Sequence, residues 1–241
     1  MRICEKFFTL QGEGEYVGVP SYFVRTTGCG LRCAWKNPDG TITKCDTPYT
    51  SWKPEAGEEM GLDEILEELK KHKCLHVVIT GGEPTLQKDL KEVVDGLVDN
   101  GYIVTIETNG TRFIPFEFDE NVLLSISPKL KTSYAQPEDS FEAKLHERNN
   151  IFKDNIFKYI DEGARVQLKF VYNTQEDRTE IKTLLKELGN VFDNQVYLMP
   201  QGITVEQFQQ KQKEMFEVCM EEGWNFSPRL HIDVFGNIRG I

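Results

Sequence analysis

Hydrophobic residues occur along the chain in short continuous runs and, between these runs, at helically spaced positions. Residues 3–10 and 21–26 read as strands joined by a glycine-rich turn, and the apolar run over residues 75–80 is typical of a strand buried in a parallel sheet. Further strands are predicted over residues 102–106, 122–127, 166–172, 195–199 and 230–235. The chain therefore carries many short strands separated by longer polar or amphipathic stretches.

The stretches between the strands have helical periodicity. Helices are predicted around residues 62–69, 86–97, 181–188 and 204–222, with one amphipathic helix in the polar region over residues 134–161. Thr204, with Gln207 three residues later, forms a capping box at the start of the last helix. Strands that alternate with helices predict an α/β fold with a parallel sheet and right-handed crossovers. A length of 241 residues is normal for one α/β barrel, so residues 1–241 are predicted to form a single domain.

Composition excludes several classes of function. Hydrophobic residues make up 39% of the chain, enough for a sizeable core, and a net charge of −11 without any basic run argues against a nucleic-acid surface. Residues 1–15 lack the apolar run of a signal peptide, and no stretch reaches the length of a membrane span, so we expect a cytoplasmic protein without a membrane partner. In the reducing cytoplasm, six cysteines are more often metal ligands or buried thiols than disulfide partners.

Three of the six cysteines, Cys29, Cys33 and Cys45, fall within residues 27–50 and are named the loop cysteines below. Residues 37–40, Asn-Pro-Asp-Gly, have turn chemistry, and the residues on either side can pair as a short hairpin. Such a hairpin returns Cys45 to the side of Cys33, so that three thiolates converge. A closed structural zinc site needs four ligands, whereas three thiolates suit a cluster that keeps one metal position open.

Polar motifs follow four of the predicted strands. The motifs are Thr80-Gly81-Gly82-Glu83-Pro84, Glu107-Thr108-Asn109-Gly110, Ser127-Pro128-Lys129 and Met199-Pro200-Gln201-Gly202. All four stand at C-terminal strand ends, where parallel α/β folds build their sites. One such motif would be an ordinary turn between a strand and a helix. Four of them, together with the loop cysteines, predict an active site.

The combination of these motifs resembles the radical S-adenosylmethionine (SAM) enzymes. A Cys-x3-Cys loop with a third cysteine beyond it, followed by Gly-Gly-Glu-Pro after a strand, is similar to that superfamily. Three further segments resemble the 7-carboxy-7-deazaguanine synthase family of queuosine biosynthesis: Leu10-Gln11-Gly12-Glu13-Gly14, Cys45-Asp46-Thr47-Pro48-Tyr49 and Gly236-Asn237-Ile238-Arg239-Gly240-Ile241. The superfamily spacing is Cys-x3-Cys-x2-Cys, whereas eleven residues separate Cys33 from Cys45 in this chain. The predicted hairpin accommodates the longer spacing.

The resemblance implies a shortened, open (β/α) barrel of the radical-SAM type with a mostly parallel sheet. It also implies that the loop cysteines hold three irons of a 4Fe–4S cluster while SAM binds the fourth iron. The reduced cluster would cleave SAM and release a 5′-deoxyadenosyl radical. By the same resemblance, the SAM pocket comprises Gly81, Gly82, Glu83, Ser127, Pro128, Lys129, Met199, Pro200, Gln201 and Gly202.

The resemblance further implies a small-molecule pterin substrate, 6-carboxy-5,6,7,8-tetrahydropterin. Its contacts would be Leu10, Gln11, Gly12, Glu13, Arg25, Thr80 and the carboxylate of Ile241. Of these, Glu13, Arg25 and Thr80 are expected to act in catalysis, with Glu13 accepting N–H bonds from the aminopyrimidinone and Arg25 binding the substrate carboxylate. Thr47 would place its hydroxyl on a Mg²⁺ ion that bridges to this carboxylate.

By the same resemblance, the radical takes a hydrogen from C6, the ring contracts and ammonia leaves, which is the chemistry of a carbon–nitrogen lyase. A flavodoxin- or ferredoxin-type electron donor and a homodimer are also expected.

Other interpretations remain open at the level of sequence. The loop cysteines could bind zinc with a fourth ligand from elsewhere, and the chain could be a glycyl-radical-enzyme activase or a non-catalytic metal-binding protein. Trp35 could stack near the adenine of SAM or only anchor the hairpin. The remaining cysteines, Cys4, Cys74 and Cys219, are named the outer cysteines and are predicted to be small buried hydrophobes. The four histidines are predicted to be structural or surface residues.

Overall fold

The computed structural model describes residues 1–37, 39–117, 119–135 and 137–241, apart from the side chain of Gln210. Pro38, which belongs to the predicted turn, lies outside the described residues. The strands in these ranges are β1 (Arg2–Leu10), β2 (Pro20–Thr26), β3 (Ala34–Lys36), β4 (Ile42–Lys44), β5 (Glu58–Glu59), β6 (His76–Gly81), β7 (Ile103–Thr108), β8 (Val122–Ile126), β9 (Arg165–Tyr172), β10 (Val196–Pro200) and β11 (Asn225–Phe226).

The α-helices in the same ranges are α1 (Pro48–Ser51), α2 (Leu62–Leu69), α3 (Leu90–Asp99), α4 (Phe141–Asn149), α5 (Lys153–Asp161), α6 (Gln175–Leu188), α7 (Val205–Glu222) and α8 (Leu230–Phe235). Short 3₁₀-helices cover Pro84–Leu86, Lys131–Ser133 and Asp193–Gln195. No helix in the described part of the chain combines the length and the apolar character needed to cross a membrane.

Nine of the strands form one sheet in the order β11-β10-β9-β8-β7-β6-β2-β1-β5. Neighbouring strands from β11 to β2 run parallel, whereas β1 runs antiparallel to both β2 and β5. Within the described ranges, no ladder joins β5 to β11, so the sheet stays open. The prediction of an open, mostly parallel α/β sheet is confirmed.

The alternating side chains of strand β9 show how the two faces of the sheet differ. Val166, Leu168 and Phe170 belong to the main hydrophobic core, where the helices cover the sheet. Gln167 and Lys169 alternate with them and face the other way, because successive side chains of a strand point to opposite faces. Both polar side chains are nevertheless buried, at 3% and 4% exposure. The face of the sheet away from the helices is therefore lined with enclosed polar groups.

The longest helix, α7, begins and ends as its sequence predicts. The Thr204 hydroxyl accepts a hydrogen bond from the Gln207 amide N–H at 3.4 Å, which is half of the predicted capping box. The other half is shifted by one residue, since the Gln207 side chain accepts from the amide of Ile203 at 2.7 Å. The helix ends at Gly223, whose φ of 73° lies in the left-handed region that favours glycine.

Two predictions from the hydrophobic pattern are wrong. Residues 230–235 were predicted as a strand and form helix α8. The alternation of Ile232 and Val234 imitates a strand, but Ile232 is buried at 1% exposure while Val234 is 62% exposed. The polar region over residues 134–161 contains two helices, α4 and α5, instead of one. Helix α4 has no apolar stripe, because its one fully buried side chain is His146.

Candidate active site

A cavity of about 460 Å³ opens on the polar face of the sheet. Side chains of β1, β2 and β6 to β10 line it, and the cysteine loop after β2 and the segment from Arg229 to Ile241 complete the lining. Because β1 is antiparallel, its last residue Leu10 pairs with Pro20 at the start of β2. The turn after β1 therefore reaches the cavity from the opposite end of the sheet to the cysteine loop.

The cysteine loop is built on the predicted hairpin. Strands β3 and β4 pair antiparallel with Trp35 opposite Thr43, and the amide of Cys45 donates to the carbonyl of Cys33 at 3.1 Å. Cys33 is buried with Leu31 and Trp35, and the other two loop cysteines pack against this group. The hairpin therefore brings Cys45 back beside Cys33, as the turn residues predict. Trp35 at least anchors the hairpin.

The loop cysteines are free thiols in a buried setting on the cavity wall. Burial raises the pKa of Cys29 to about 12, and it raises the pKa of the Cys33 and Cys45 thiols as well. Thiolates in such a place need cationic partners at sulfur, which bound iron supplies. Among the described residues, no three His, Cys, Asp or Glu side chains gather around one point closely enough for a single ion. Three cysteine sulfurs in the lining of one cavity are the donor type that an iron–sulfur cluster requires.

The outer cysteines lie away from the cavity lining. Cys219 is buried at 5% exposure, and its thiol donates to the carbonyl of Asn225 at 3.6 Å. Cys74 packs against the core but is only partly buried, as is Cys4, whose thiol donates to the carbonyl of Arg25 at 3.5 Å. The prediction of small buried side chains is confirmed for Cys219 and holds in part for the other two.

The turn after β6 brings its backbone against the cysteine loop. Gly81 has a φ of 145°, and a Cβ on Gly82 would lie 2.2 Å from the carbonyl oxygen of Gly28. Only glycine permits this approach. Glu83 is 1% exposed and stays beneath the cavity surface, where its carboxylate accepts from the Thr108 hydroxyl at 2.6 Å and from the Asn109 amide at 2.8 Å. Glu83 therefore ties together two of the strand-end turns.

A network of buried charges crosses the end of the cavity that the turn after β1 enters. Lys169 Nζ lies 2.6 Å from Glu13 Oε2 and 3.4 Å from Glu107 Oε1. Arg229 Nε lies 2.9 Å from Glu13 Oε1, and the same guanidinium pairs with Asp46. Two cations thus hold three carboxylates in fixed positions.

These cations favour the ionised forms of Glu13 and Asp46. Burial alone would raise the pKa of Glu13, but Lys169 and Arg229 hold it far below its ordinary value. Burial likewise opposes ionisation of Asp46, and Arg229 lowers its pKa. The pKa of Lys169 is raised despite burial, because Glu107 and Glu13 stabilise the ammonium. The cavity can therefore offer ionised oxygens to the N–H groups of a ligand.

Arg25 and the chain segment after α8 meet at a second cluster of charges. Arg25 Nε donates to Glu5 Oε2 at 2.7 Å, and Arg239 Nε donates to Glu5 Oε1 at the same distance. The Arg239 guanidinium also bonds Glu55 at 2.9 Å and lies 3.8 Å from the ring centroid of Tyr49. This cluster fastens the segment that carries residues 237–241 against β1.

The cavity brings together most of the residues predicted for the site. Those that line it are Leu10, Gln11, Gly12, Glu13, Arg25, Cys29, Cys33, Cys45, Thr47, Thr80, Gly81, Gly82, Ser127, Lys129, Met199, Pro200, Gln201, Gly202 and Ile241. Two predicted SAM contacts, Glu83 and Pro128, do not belong to the lining. Glu83 is directed into the protein by its hydrogen bonds, and Pro128 is the middle residue of a turn whose neighbours face the cavity.

Several cavity residues had no role in the predictions from sequence. Lys169 could have been noticed as a charge within the apolar run of β9. Arg229 and His231 gave no comparable signal, because their neighbours in the turn after β1 are distant in the sequence. A Cβ on Gly12 would lie 2.2 Å from Nδ1 of His231, so the glycine is required by the histidine. Glu107 was placed only at a strand-ending turn, yet it accepts hydrogen bonds from two predicted substrate contacts, Gln11 and Thr80.

The sequence of the chain is similar to a known superfamily and to several named enzymes. Residues 23–124 match the radical SAM superfamily. The chain is 38% identical over 239 residues to the 7-carboxy-7-deazaguanine synthase of Rhodopirellula baltica, covering 99% of this chain and 88% of that relative. It is 37% identical over 246 residues to the enzyme of the same name from Halobacterium salinarum, covering 98% of this chain and 90% of that relative.

A solved structure shows the same architecture. The crystal structure of QueE from Escherichia coli superposes with a TM-score of 0.69 at 25% identity, covering 95% of this chain and 94% of the other. The match to the radical SAM superfamily implies SAM and a 4Fe–4S cluster, and the chemistry of the loop cysteines described above fits that cluster.

Proposed function

Because the chain belongs to the family of 7-carboxy-7-deazaguanine synthases, we propose that it converts 6-carboxy-5,6,7,8-tetrahydropterin to 7-carboxy-7-deazaguanine with loss of ammonia. The observation that carries this proposal is the composition of one cavity. Its lining contains three cysteine thiols, of which Cys33 is buried, together with the ionised carboxylate of Glu13. A site of this kind suits radical chemistry on a polar, nitrogen-rich small molecule, and an activase would need room for a protein segment instead.

The cofactor end of the cavity is the loop of cysteines and the turns beside it. The loop cysteines would hold the 4Fe–4S cluster, which together with SAM supplies the radical that removes a hydrogen atom. Gly81 and Gly82 would let the backbone approach SAM closely, as their crowded contacts with the loop allow no side chain. The remaining SAM contacts would be Ser127, Lys129, Met199, Pro200, Gln201 and Gly202.

The substrate end would be the charge network. Glu13, kept ionised by two cations, would accept paired N–H bonds from the aminopyrimidinone edge of the pterin. Thr80 and Gln11 both donate to Glu107, at 2.9 and 3.3 Å, and would fix the polar wall against which the ring lies. Leu10, Gly12 and Ile241 would complete the contacts. Fixed groups of this kind hold the reacting carbon in one position and exclude water.

The substrate carboxylate would be bound by Arg25 and by a magnesium ion. In the described structure, Arg25 bonds Glu5 through Nε, so its terminal nitrogens remain for a carboxylate. Thr47 lines the same cavity and offers a hydroxyl oxygen, a ligand that Mg²⁺ accepts. The neighbouring Asp46 is already paired with Arg229, which favours Thr47 as the protein ligand.

Further attributes of this proposal follow from the reaction class. Loss of ammonia from carbon makes the enzyme a carbon–nitrogen lyase, and reduction of the cluster requires a flavodoxin- or ferredoxin-type electron donor. We also propose that the protein is a homodimer and that it is cytoplasmic, a compartment in which cysteines stay as free thiols.

The proposed function is tested by anaerobic turnover with the carboxylated tetrahydropterin, SAM, Mg²⁺ and dithionite, followed by mass analysis. The expected product has the mass of 7-carboxy-7-deazaguanine and is accompanied by ammonia. Glu13→Gln, which keeps size and removes the charge, should lower kcat/KM for the pterin at least tenfold while the cluster remains bound. Cleavage of SAM without any change of the pterin would refute the assigned substrate.

A further inference from the structure

The hairpin formed by β3 and β4 is an insertion in the cysteine loop, and its two faces differ. The superfamily spacing closes the cysteine loop with two residues between the second and third cysteines, whereas this chain uses eleven. The extra residues form a two-stranded sheet with two different faces. Trp35 and Thr43, which are opposite each other, are buried at 7% and 8% exposure. This inner face packs against the group that contains Cys33.

The outer face of the hairpin is exposed and positively charged. Lys36 pairs with Ile42 across the two strands, and both side chains are exposed, Ile42 at 46%. Lys44 lies on the same face, two residues from Ile42, and is also exposed. Its ammonium stands 4.1 Å from the ring centroid of Trp52. The amide of Ala135 donates to a carbonyl of β3 at 3.0 Å and holds that strand in place, so the outer face presents Ile42 between two lysines on a fixed strand pair.

The charge of this region is opposite to that of the whole protein. The chain has a net charge of −11, yet residues 28–53 contain four basic and two acidic side chains. One of these acids, Asp46, is paired with Arg229 inside the protein. The other, Asp39, accepts hydrogen bonds from the Thr41 amide and hydroxyl at 2.9 and 2.6 Å. A basic patch on an acidic protein attracts an acidic partner to one place, because repulsion opposes docking elsewhere.

Two residues of the patch are also close in sequence to the loop cysteines. Lys36 is three residues from Cys33, and Lys44 is adjacent to Cys45. The Cys33 carbonyl accepts from the Cys45 amide at 3.1 Å and from the Trp52 indole N–H at 3.3 Å. A redox partner seated on the hairpin would therefore stand next to the residues that would hold the cluster.

We propose that the outer face of the hairpin, Lys36, Ile42 and Lys44, is the docking surface for an acidic, low-potential electron-carrier protein. This inference rests on the proposed function, because it names the partner of the same site. The transfer moves one electron: the carrier is oxidised by one electron and the cluster is reduced by one. No bond forms or breaks, and no proton is required at the cluster.

The test measures cluster reduction directly. Reduced flavodoxin of net negative charge is mixed anaerobically with the reconstituted holoenzyme, without pterin, and bleaching of the iron–sulfur absorbance is followed at several salt concentrations. Lys36→Glu and Ile42→Glu are compared with Lys186→Glu, which makes the same charge change on an exposed position of α6. Lys44 is left unchanged because it also lines the cavity.

We expect Lys36→Glu to lower the second-order rate of reduction at least tenfold at low salt and to flatten its salt dependence, in the range that electrostatic steering produces, about 10- to 1,000-fold. Ile42→Glu should also slow reduction, and Lys186→Glu should stay within about twofold of wild type. Reduction by dithionite should be unaffected in all three. Lys36→Gln, the milder change, should give an intermediate rate if the glutamate variant loses iron.

Two results would overturn the proposal. One is a Lys36→Glu rate no lower than that of Lys186→Glu. The other is a change of Lys36→Glu from dimer to monomer on gel filtration, which would assign the face to a second copy of the chain. Failure of the proposed function is separate, because it would appear as missing product in turnover driven by dithionite, a reaction that does not use the hairpin.

Discussion

The replacement of Lys169 by methionine tests the buried charge network. Methionine keeps the unbranched shape and all but the last atom of the side chain, and it removes the ammonium that lies 2.6 Å from Glu13 and 3.4 Å from Glu107. Glu13 retains Arg229 as a partner, whereas Glu107 loses the one cation recorded for it among the described residues. The Lys169 side chain is only 5% exposed and that of Glu13 is 13% exposed, so solvent screens this ion pair weakly.

The cost follows from leaving a buried carboxylate without its counter-ion. Removing one partner of a buried ion pair destabilises a protein by about 3–5 kcal/mol. We expect the free energy of unfolding of Lys169→Met to fall by this amount near neutral pH. Lys182→Met is the matched control, since it breaks an exposed pair with Glu222 that spans 2.8 Å, and such pairs contribute about 0.2–1 kcal/mol.

The loss should depend on pH in a defined direction. The pKa of Glu13 is lowered in the folded protein, so its contribution is present above the ordinary value of 4.5 and is lost as the pH falls below it. The pKa of Lys169 is raised, so its contribution is complete below the ordinary 10.5 and is lost at more alkaline pH. The difference between wild type and Lys169→Met should therefore be full between about pH 5 and 10 and should shrink in acid.

Urea unfolding followed by far-ultraviolet circular dichroism, at pH 7.5 and pH 4 under anaerobic conditions, measures both effects. A Lys169→Met protein that loses no more than Lys182→Met would refute the assignment of Lys169 as an essential counter-ion. The same penalty at both pH values would show that lost packing, and not lost charge, causes the destabilisation.

Four further outcomes can be checked. Cys45→Ala should lose most of its iron and all turnover, whereas Cys219→Ala should keep both, and a loaded Cys45→Ala enzyme would exclude the hairpin from cluster binding. Thr47→Ala should lose stimulation by Mg²⁺ while still binding SAM, and an unchanged Mg²⁺ response would move the ion elsewhere. Gly82→Ala should lose about 1–3 kcal/mol of stability and retain iron poorly, because its Cβ would stand 2.2 Å from a carbonyl of the cysteine loop; a normal melting curve would contradict this packing. Arg239→Ala should raise KM for the pterin about 5- to 30-fold, since two ion pairs and one cation–π contact hold its segment. An unchanged KM would show that this segment does not take part in substrate binding.

The parts of the site that the sequence predicts are those encoded locally. The hairpin follows from the turn residues between Cys33 and Cys45, and the gathering of strand-end motifs follows from the parallel order of the strands. The charge network could not be predicted in the same way, because Arg229 meets Glu13 across 216 positions of the chain. Such a pairing depends on the antiparallel direction of β1, which no local pattern reveals.

The wrong predictions have the same physical origin. Residues 230–235 have alternating apolar positions, and in isolation they fit a strand as well as a helix. Their conformation is decided by a tertiary contact, in which the amide of Leu230 donates to the carbonyl of Gly12 at 3.0 Å. Helix α4 was missed for the reverse reason, since it stabilises the cysteine loop through Asn149, whose amide donates to Gly30 at 2.9 Å, without any apolar stripe.

Because the sheet is open, a late segment of the chain has to complete the wall of the cavity. The segment around Ser227 and Arg229 bonds the turn after β1 at Gly14 and the turn after β10 at Gly202, so it spans the two flanks that the strands leave apart. A nascent chain emerges in sequence order, and its earlier parts fold first. The cysteine loop and the strands around it therefore leave the ribosome well before the segment that seals the cavity wall. During that interval the cavity lacks the wall that this segment supplies.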